Sequence, residues 1–405
     1  MELAGKRIIL GVSGGIAAYK SAELVRLLIA KGAEVDVVMT HAATQFVGPL
    51  TFQALSGNPV HTEMFDLVRE TAINHISLAD RADLIVVAPA TADLMAKVAC
   101  GIADELLPTI ILAAKSPVLF APAMNVRMWE NAVTRQNVAK LKGLKYLFVG
   151  PDSGGLACGH IGAGRMAEPP VICEEIISCL LPKPLSGKKI IISAGPTREP
   201  FDAVRFISNR SSGRMGYALA RAAFLFGADV TLVSGPTSIP HPLGMNIVNV
   251  ETTAQMSKAI KKNLTGAFAV IMAAAVADFR PADIFNGKTP KSAFPKLLKL
   301  EPTEDIVASL PKKEPKVKVI GFAAQTGEIS ENALKKLSQK KLFAIIANDI
   351  AQKGIGFDSL DNEVTIFFSN GRIVSLPRAP KEELAFSILA TLFEFTWPTN
   401  EKSGQ

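Results

Sequence analysis

The stretch KRIILGVSGGIAAYKSAELVRLLIAKGAEVDVVM, residues 6–39, decides the fold. Residues 6–12 are rich in β-formers and run into the glycine turn Gly11-Val12-Ser13-Gly14-Gly15. A helical pattern follows over 17–31, then Gly32-Ala33 and a second β-rich run at 34–39. This order is a βαβ unit, whose right-handed crossover gives a parallel sheet. Working outward, buried strands are expected at 82–88 and 118–121, with helices between them.

Residues 169–181 read as one helix, broken by Pro182-Lys183-Pro184. A second α/β unit then begins, with a strand at 189–193, a helix at about 215–226 and a strand ending at Val233. Its 226–233 segment rhymes with 31–38, as any two Rossmann-like units would. Later strands are expected at 319–322, 344–347 and 363–368. A Lys-rich helix is expected at about 330–341, a basic proline-bearing loop at 311–318, and a frayed tail from Pro398. The chain is therefore expected to be α/β, with two Rossmann-like domains and mainly parallel sheets. The domains are placed at 1–182 and 189–405, joined by a linker at 183–188.

The 405 residues are 48% hydrophobic and 20% charged, ordinary for a globular protein. No apolar run is long enough to span a bilayer, and the N-terminus becomes a strand rather than a signal peptide. A cytoplasmic location is expected. The cysteines Cys100, Cys158, Cys173 and Cys179 form no CxxC pair, which argues against structural zinc. Residues 1–188 carry 17 basic and 17 acidic side chains, so the remainder, 27 against 20, holds the whole excess of +7. No helix-turn-helix, zinc finger or aromatic RNA-binding motif accompanies it. A small polyanion is favoured over nucleic acid, against the plainer reading of a solvated basic surface.

In the first half, the glycine turn could set backbone N–H groups against a phosphate, although it is not the dinucleotide GxGxxG. Ser13 could donate there or simply cap the helix. Ala88-Pro89-Ala90-Thr91 ends a buried strand, where open α/β sheets place ligands. Pro122-Ala123-Met124-Asn125 follows another strand, and Asn125 could orient a carboxylate. His75 opens a short amphipathic helix and has a structural alternative. The most unusual stretch runs from Gly154 to Met166, with five glycines in eleven residues around Cys158. It is expected to be a mobile flap bearing a reactive thiol.

These residues resemble the homo-oligomeric flavin-containing cysteine decarboxylases. The resemblance rests on the glycine-rich opening, His75, the Pro-Ala-Met-Asn-x-x-Met-Trp block at 122–129, and the Ala-Cys-Gly to Gly-Arg-Met flap. It implies FMN, with Gly11, Ser13, Gly14, Thr40, Ala88 and Thr91 at the cofactor. It also implies sites between subunits of trimers, with His75 in the catalytic base region. Asn125 would hold the substrate carboxylate, and Cys158 would return a proton late in the reaction. The implied chemistry is oxidation of the cysteine thiol side to a thioaldehyde, loss of CO₂, then reduction of the ene-thiol. His160 stands where the family has an acidic residue.

In the second half no Walker GxxxxGK[ST] is present. Ser211, Ser212 and Gly213 instead precede a helix and could cradle an anion. Ala273 to Asp278 ends a buried strand with one carboxylate, suited to a ribose or a magnesium ion. Lys336 and Lys340 are four apart, on one helix face. This half resembles phosphopantothenate–cysteine ligase. The whole resembles the bacterial bifunctional decarboxylase/ligase family of coenzyme A synthesis, from about residue 5 to 390. The resemblance implies CTP, 4′-phosphopantothenate and L-cysteine as substrates, and ligase dimers beside decarboxylase trimers. Asn209 would handle the acyl-cytidylate. Ser211, Ser212 and Gly213, with Met272, Ala273, Ala274 and Asp278, would hold the nucleotide. Lys288, Glu304, Asp305, Ile306, Val307, Phe322, Lys336 and Lys340 would complete the CTP site. Mg²⁺ would sit at Asp278 and Asp305. Departures from the family pattern at Thr289, Pro290, Thr303, Gln325 and Phe343 are expected to cluster around the nucleotide. The alternatives are an NADP-linked flavin reductase, which lacks its fingerprint here, and a flavoprotein regulatory or binding subunit.

Overall fold

The structure is a computed structural model and describes residues 2–64, 74–155, 161–290, 297–325, 329–349 and 359–397. The chain divides into two compact units, Met1–Leu181 and Pro182–Gln405.

The first unit runs β1 (Arg7–Val12), α1 (Ala18–Ala30), β2 (Glu34–Met39), α2 (Pro49–Ser56), β3 (Val60–His61) and α3 (Asn74–Arg81). It continues through β4 (Leu84–Ala90), α4 (Ala92–Cys100), α5 (Leu106–Ala113), β5 (Val118–Pro122) and α6 (Val126–Glu130). Then come α7 (Ala132–Gly143), β6 (Leu147–Phe148), β7 (Asp152–Gly155), β8 (Ile161–Arg165) and α8 (Pro169–Leu180). Six strands make a parallel sheet in the order β3-β2-β1-β4-β5-β6. Near-continuous apolar runs such as Leu84–Ala90 are buried along their whole length, as a sheet covered on both faces requires. Strand order reverses between β1 and β4, which opens a crevice at their carboxyl ends.

The second unit runs β9 (Lys189–Ala194), β10 (Arg198–Pro200), β11 (Phe206–Ser208), α9 (Arg214–Leu225), β12 (Asp229–Ser234), β13 (Asn246–Asn249) and α10 (Thr253–Asn263). It continues with β14 (Ala269–Met272), β15 (Phe279–Pro281), β16 (Leu300–Pro302), α11 (Ile306–Lys313), β17 (Lys318–Gln325) and α12 (Ile329–Gln339). It closes with β18 (Ala344–Asp349), β19 (Asp361–Phe368), β20 (Ile373–Pro380) and α13 (Lys381–Phe393). The sheet order is β13-β12-β9-β14-β17-β18-β19-β20. Its first six strands are parallel and its last two antiparallel. The reversal here falls between β9 and β14. Phe226, fully buried, meets Phe386 at 5.2 Å and Trp397 at 5.1 Å, which holds α13 and the following segment onto α9. A buried side chain of this kind contributes roughly 1.5–3 kcal/mol.

Three expectations change. Pro311 is not in a loop but inside α11, whose last turn is closed by Glu314 N donating to Leu310 O at 3.0 Å. The 154–166 glycine stretch is flanked by an antiparallel hairpin of β7 and β8 rather than being all loop. Two of its glycines serve close packing. A Cβ on Gly162 would lie 2.7 Å from Val126 Cγ2, and one on Gly164 would lie 2.3 Å from Met124 O. Cys158 and His160 lie outside the described residues, as do Lys291 and the tail from Pro398. Phe343 lies at the amino end of β18, edge-on to Phe368 at 6.0 Å and under Lys318. That is the strand end opposite the carboxyl-end crevice, so this departure lies away from the crevice.

Candidate functional sites

In the first unit the strand-order reversal holds a cavity of about 820 Å³. Its floor is built by a hydrogen-bonded clasp. Ser13 Oγ donates to Pro89 O at 2.7 Å and accepts from Thr91 N at 3.0 Å. Gly14 is required beside it, because a Cβ there would sit 2.4 Å from the Ala42 Cβ. Helix α1 begins here without a side-chain cap and with no acid in its first turn. Its terminal N–H groups and dipole face an anion-accepting position. Thr40 and Thr91 also line the cavity, each capping its own helical turn, on Ala43 N and Leu94 N.

Asn125 lines the same cavity and caps α6, its Oδ1 accepting from Arg127 N at 2.8 Å. Met124 N donates to Gly164 O at 2.9 Å, so the hairpin root is pinned to the Asn125 turn. Gly11 and Ala88 do not line the cavity. Gly11 is packed against Leu107, and Ala88 O accepts from Ser21 Oγ at 2.6 Å beneath α1. His75 is half-buried on α3 and is not on the wall either.

The sequence reading missed the charged parts of this wall. Lys20 lies in the buried stripe of α1 beside Ser21 and Leu24, and its Nζ donates to Glu168 Oε1 at 2.9 Å. A lysine on an apolar helix stripe was the readable signal. Arg165 at the end of β8 pairs with the same carboxylate oxygen. The Lys20 hydrogen bond, helped by the charges of Lys20 and Arg165, holds the Glu168 carboxyl below the usual range against the opposing effect of burial. Across the cavity Lys97 meets Glu105 at 2.7 Å and Asp104 at 3.1 Å. The Glu105 bond keeps its ammonium protonated well above the usual lysine range.

In the second unit a cavity of about 420 Å³ lies at the β9–β14 reversal. Asn209, Ser211, Ser212, Gly213, Met272, Ala273, Ala274, Asp278, Glu304, Asp305, Ile306, Val307, Phe322, Lys336 and Lys340 all line it. Gly213, at φ 78°, precedes α9, which again lacks a side-chain cap. A Cβ on Gly216 would lie 2.5 Å from the Ala194 Cβ, so the helix can only approach the sheet this closely with glycine there. Ser193 Oγ accepts from Ala274 N at 3.1 Å, and Asn209 Nδ2 donates to Val276 O at 2.8 Å. These bonds fix the backbone that follows β14.

Asp305 caps α11 on Ala308 N and pairs with Lys340 at 2.7 Å. Burial would raise its carboxyl, but Lys340 and the Ala308 amide outweigh it and hold it low. Glu304 turns to Ser257 and Lys261. Asp278 has no ion pair among the described residues, which contain no cluster of three metal-ligating side chains. Lys288 is exposed and off the cavity wall. Its segment is tied elsewhere. Ala203 N donates to Gly287 O at 3.3 Å, and Thr289 N to the buried Asp202 carboxylate at 3.4 Å. Thr289 and Pro290 stay with that segment, whereas Thr303 does line the cavity.

Residues 1–181 match the family described as Flavoprotein. Residues 185–395 match the DNA/pantothenate metabolism flavoprotein C-terminal domain. The chain is 47% identical over 396 residues to the coenzyme A biosynthesis bifunctional protein CoaBC of Vibrio cholerae, covering 97% of this chain and 99% of that protein. The Bacillus subtilis protein of the same name is 44% identical over 405 residues, covering 99% and 100%. A solved C-terminal domain of a CoaBC protein is 40% identical, with a TM-score of 0.46, and covers 52% of this chain and 97% of that one. No helix among the described residues is long and apolar enough to cross a membrane.

Proposed function

This chain belongs to the family of coenzyme A biosynthesis bifunctional proteins, and from that membership we infer that it makes 4′-phosphopantetheine in two steps. The second unit joins L-cysteine to 4′-phosphopantothenate, and the first decarboxylates the product. The observation that carries this reading is the pairing of both family domains in one chain, each with a cavity at its strand-order reversal.

In the ligase unit, CTP is the nucleotide. The substrate carboxylate attacks the α-phosphate and pyrophosphate leaves; the cysteine amine then displaces CMP from the acyl-cytidylate. The uncapped start of α9, with Ser211 to Gly213, receives phosphate oxygens. Lys336 and Lys340 add positive charge, and Asn209 holds the post-β14 backbone against which the acyl-cytidylate lies. Lys288 reaches the triphosphate only if its segment leaves the Asp202 loop. Were magnesium bound to the triphosphate, as is usual for this ion, Asp278 would be the wall carboxylate open to it. Asp305 is already engaged by Lys340.

In the decarboxylase unit the residues suit FMN. The α1 start offers phosphate donors, and Ala17, Leu94 and Met124 offer an apolar bed for a flat ring. When bound, FMN supplies the electron sink that cysteine itself lacks. Asn125 orients the substrate carboxylate. His75 acts from α3, off the wall of its own chain's cavity, which suits a site completed in a trimer. Cys158 returns the proton. Domain limits of 1–182 and 189–405 and a cytoplasmic location go with this reading. Incubation with 4′-phosphopantothenate, L-cysteine and CTP, followed by mass spectrometry, tests it. Expected are CMP, pyrophosphate, CO₂ and 4′-phosphopantetheine, from a yellow protein that releases FMN on denaturation. A colourless protein, or no acyl-cysteine product, would overturn it.

A further inference from the structure

The stretch Gly195-Pro196-Thr197-Arg198-Glu199-Pro200, which follows β9, carries a threonine and a glutamate that none of the roles above uses. Thr197 precedes β10 and Glu199 lies in it, two positions on, a spacing that sets both on one face of an extended chain. Thr197 is 0% exposed and Glu199 4%. Glutamate is almost never buried this deeply unless other groups satisfy it. Here the first residue of α10 does so. Glu199 Oε1 accepts from Thr253 N at 2.8 Å and from Thr253 Oγ1 at 2.8 Å. Helix α10 runs for 11 residues, and its dipole favours a carboxylate at this end.

From Glu199 the bonds run on in one sense. The Thr253 hydroxyl has a single proton, and its 2.8 Å contact with the carboxylate outcompetes a 3.4 Å contact with Ala277 O. In its 3.1 Å contact with Thr197 Oγ1 it must then accept. Thr197, having given its proton to Thr253, turns a lone pair to Ala277 N, which donates to it at 2.9 Å. From the other side Thr303 Oγ1 donates to Ala277 O at 2.6 Å, and Thr303 N to Asp278 O at 2.9 Å. Ala277 is buried, but its neighbours Val276 and Asp278 line the ligase cavity. The relay therefore ends on the backbone of the cavity wall, although Glu199 itself is not on that wall.

We propose that Glu199 is a positioning residue of the ligase reaction: through Thr253 and Thr197 it fixes the Ala277 amide, and with it the angle at which Val276 and Asp278 meet the nucleotide. This deepens the ligase reading and rests on it. The relay keeps one sense because the carboxylate at its end accepts and does not donate. An amide in that place carries an NH₂ as well as a carbonyl, so both senses become open. In the reversed sense Thr197 turns its proton toward the Ala277 N–H, and two donors face each other. Bonds in such a chain polarise one another, so a change at Glu199 is felt at Ala277.

Isothermal titration of the full chain with CTP tests this, because it reads the dissociation constant and the number of sites separately. Glu199→Gln and Thr197→Val keep the side-chain shape and break the relay, whereas Thr197→Ser keeps the hydroxyl. Glu199→Gln and Thr197→Val are each expected to raise the Kd for CTP at least about tenfold with the number of sites unchanged. Thr197→Ser is expected to stay within about threefold of wild type. A relay that served folding alone would instead lower the number of sites, in proportion to unfolded protein, and leave Kd as it was. That result overturns the proposal, and so does a wild-type Kd in both relay-breaking variants. Equal losses in Thr197→Val and Thr197→Ser overturn it too, by assigning the effect to shape rather than to the hydroxyl. A wild type that binds no CTP overturns the ligase reading, and this inference with it.

Discussion

Ser13 and Pro89 join the carboxyl ends of β1 and β4 through a 2.7 Å bond from the serine hydroxyl to the proline carbonyl. Ser193 plays the related part in the second unit, where its hydroxyl accepts the Ala274 amide at 3.1 Å. In both units a short side chain at the end of the first strand braces the point where strand order reverses. The crevice is therefore held open by the fold before any ligand arrives.

Ser13→Ala removes both hydroxyl bonds of the first brace and leaves the Thr91 amide without its partner, while the Pro89 carbonyl keeps the Ser13 backbone N–H at 3.3 Å. The cost is about 1–3 kcal/mol. Differential scanning should show the first unit melting several degrees lower, and FMN affinity should weaken at least ~10-fold. The ligase reaction should not change. An unaltered FMN titration would show that the clasp does not shape the cofactor site.

Glu168 sets a pH limit. Its carboxyl is held below the usual range, so the stability it contributes is present above the ordinary glutamate pKa of about 4.3 and is lost as pH falls through its lowered value. The first unit should be insensitive to pH near neutrality and lose melting temperature below about pH 4. Glu168→Gln should lower neutral-pH stability and flatten that acid limb. An identical acid limb in the variant would assign the loss to other carboxylates.

His75→Asn should stop CO₂ release while FMN remains bound, because α3 is off the cavity wall that would hold the cofactor. Cys158→Ser should still release CO₂ but accumulate the oxidised ene-thiol product, since an alcohol is a far weaker acid than a thiol near neutral pH. Coupled CO₂ and thiol assays separate the two. Wild-type 4′-phosphopantetheine yields from either variant would remove that residue from the mechanism.

Lys288→Gln should slow acyl-cytidylate formation by at least ~100-fold, the scale of one lost electrostatic contact in the transition state. CTP affinity should fall much less, because ordering the segment offsets the ground-state attraction. Leaving the Asp202 loop breaks the Thr289 contact, so Asp202→Asn, which weakens that anchor, should change the same step. Single-turnover measurement at saturating CTP checks it. A wild-type rate for Lys288→Gln would leave the lysine as a solvated charge.

The sequence by itself determined the two parallel sheets. Runs such as residues 84–90 and 190–192 are apolar on both faces, and only a covered parallel sheet buries both. It also marked Ser13, Gly14, Asn125 and the 209–213 turn, because glycine and short polar residues after a strand have a local reason to be there. It did not reveal the hairpin around the 154–166 glycines, because Gly162 and Gly164 serve contacts with Val126 and Met124, far away in the chain. Nor did it reveal α13, whose place depends on Phe226 meeting Phe386. Only the tertiary structure decided that Gly11 and Ala88 lie beneath the cavity, and that the backbone on either side of Lys288 is tied to the Asp202 loop. The same is true of Lys20 meeting Glu168, and of Glu199 reaching Ala277 through Thr253 and Thr197. Strand and helix identity follow from periodicity between near neighbours; these pairings join residues tens to hundreds of positions apart, and nothing short of packing fixes their distance.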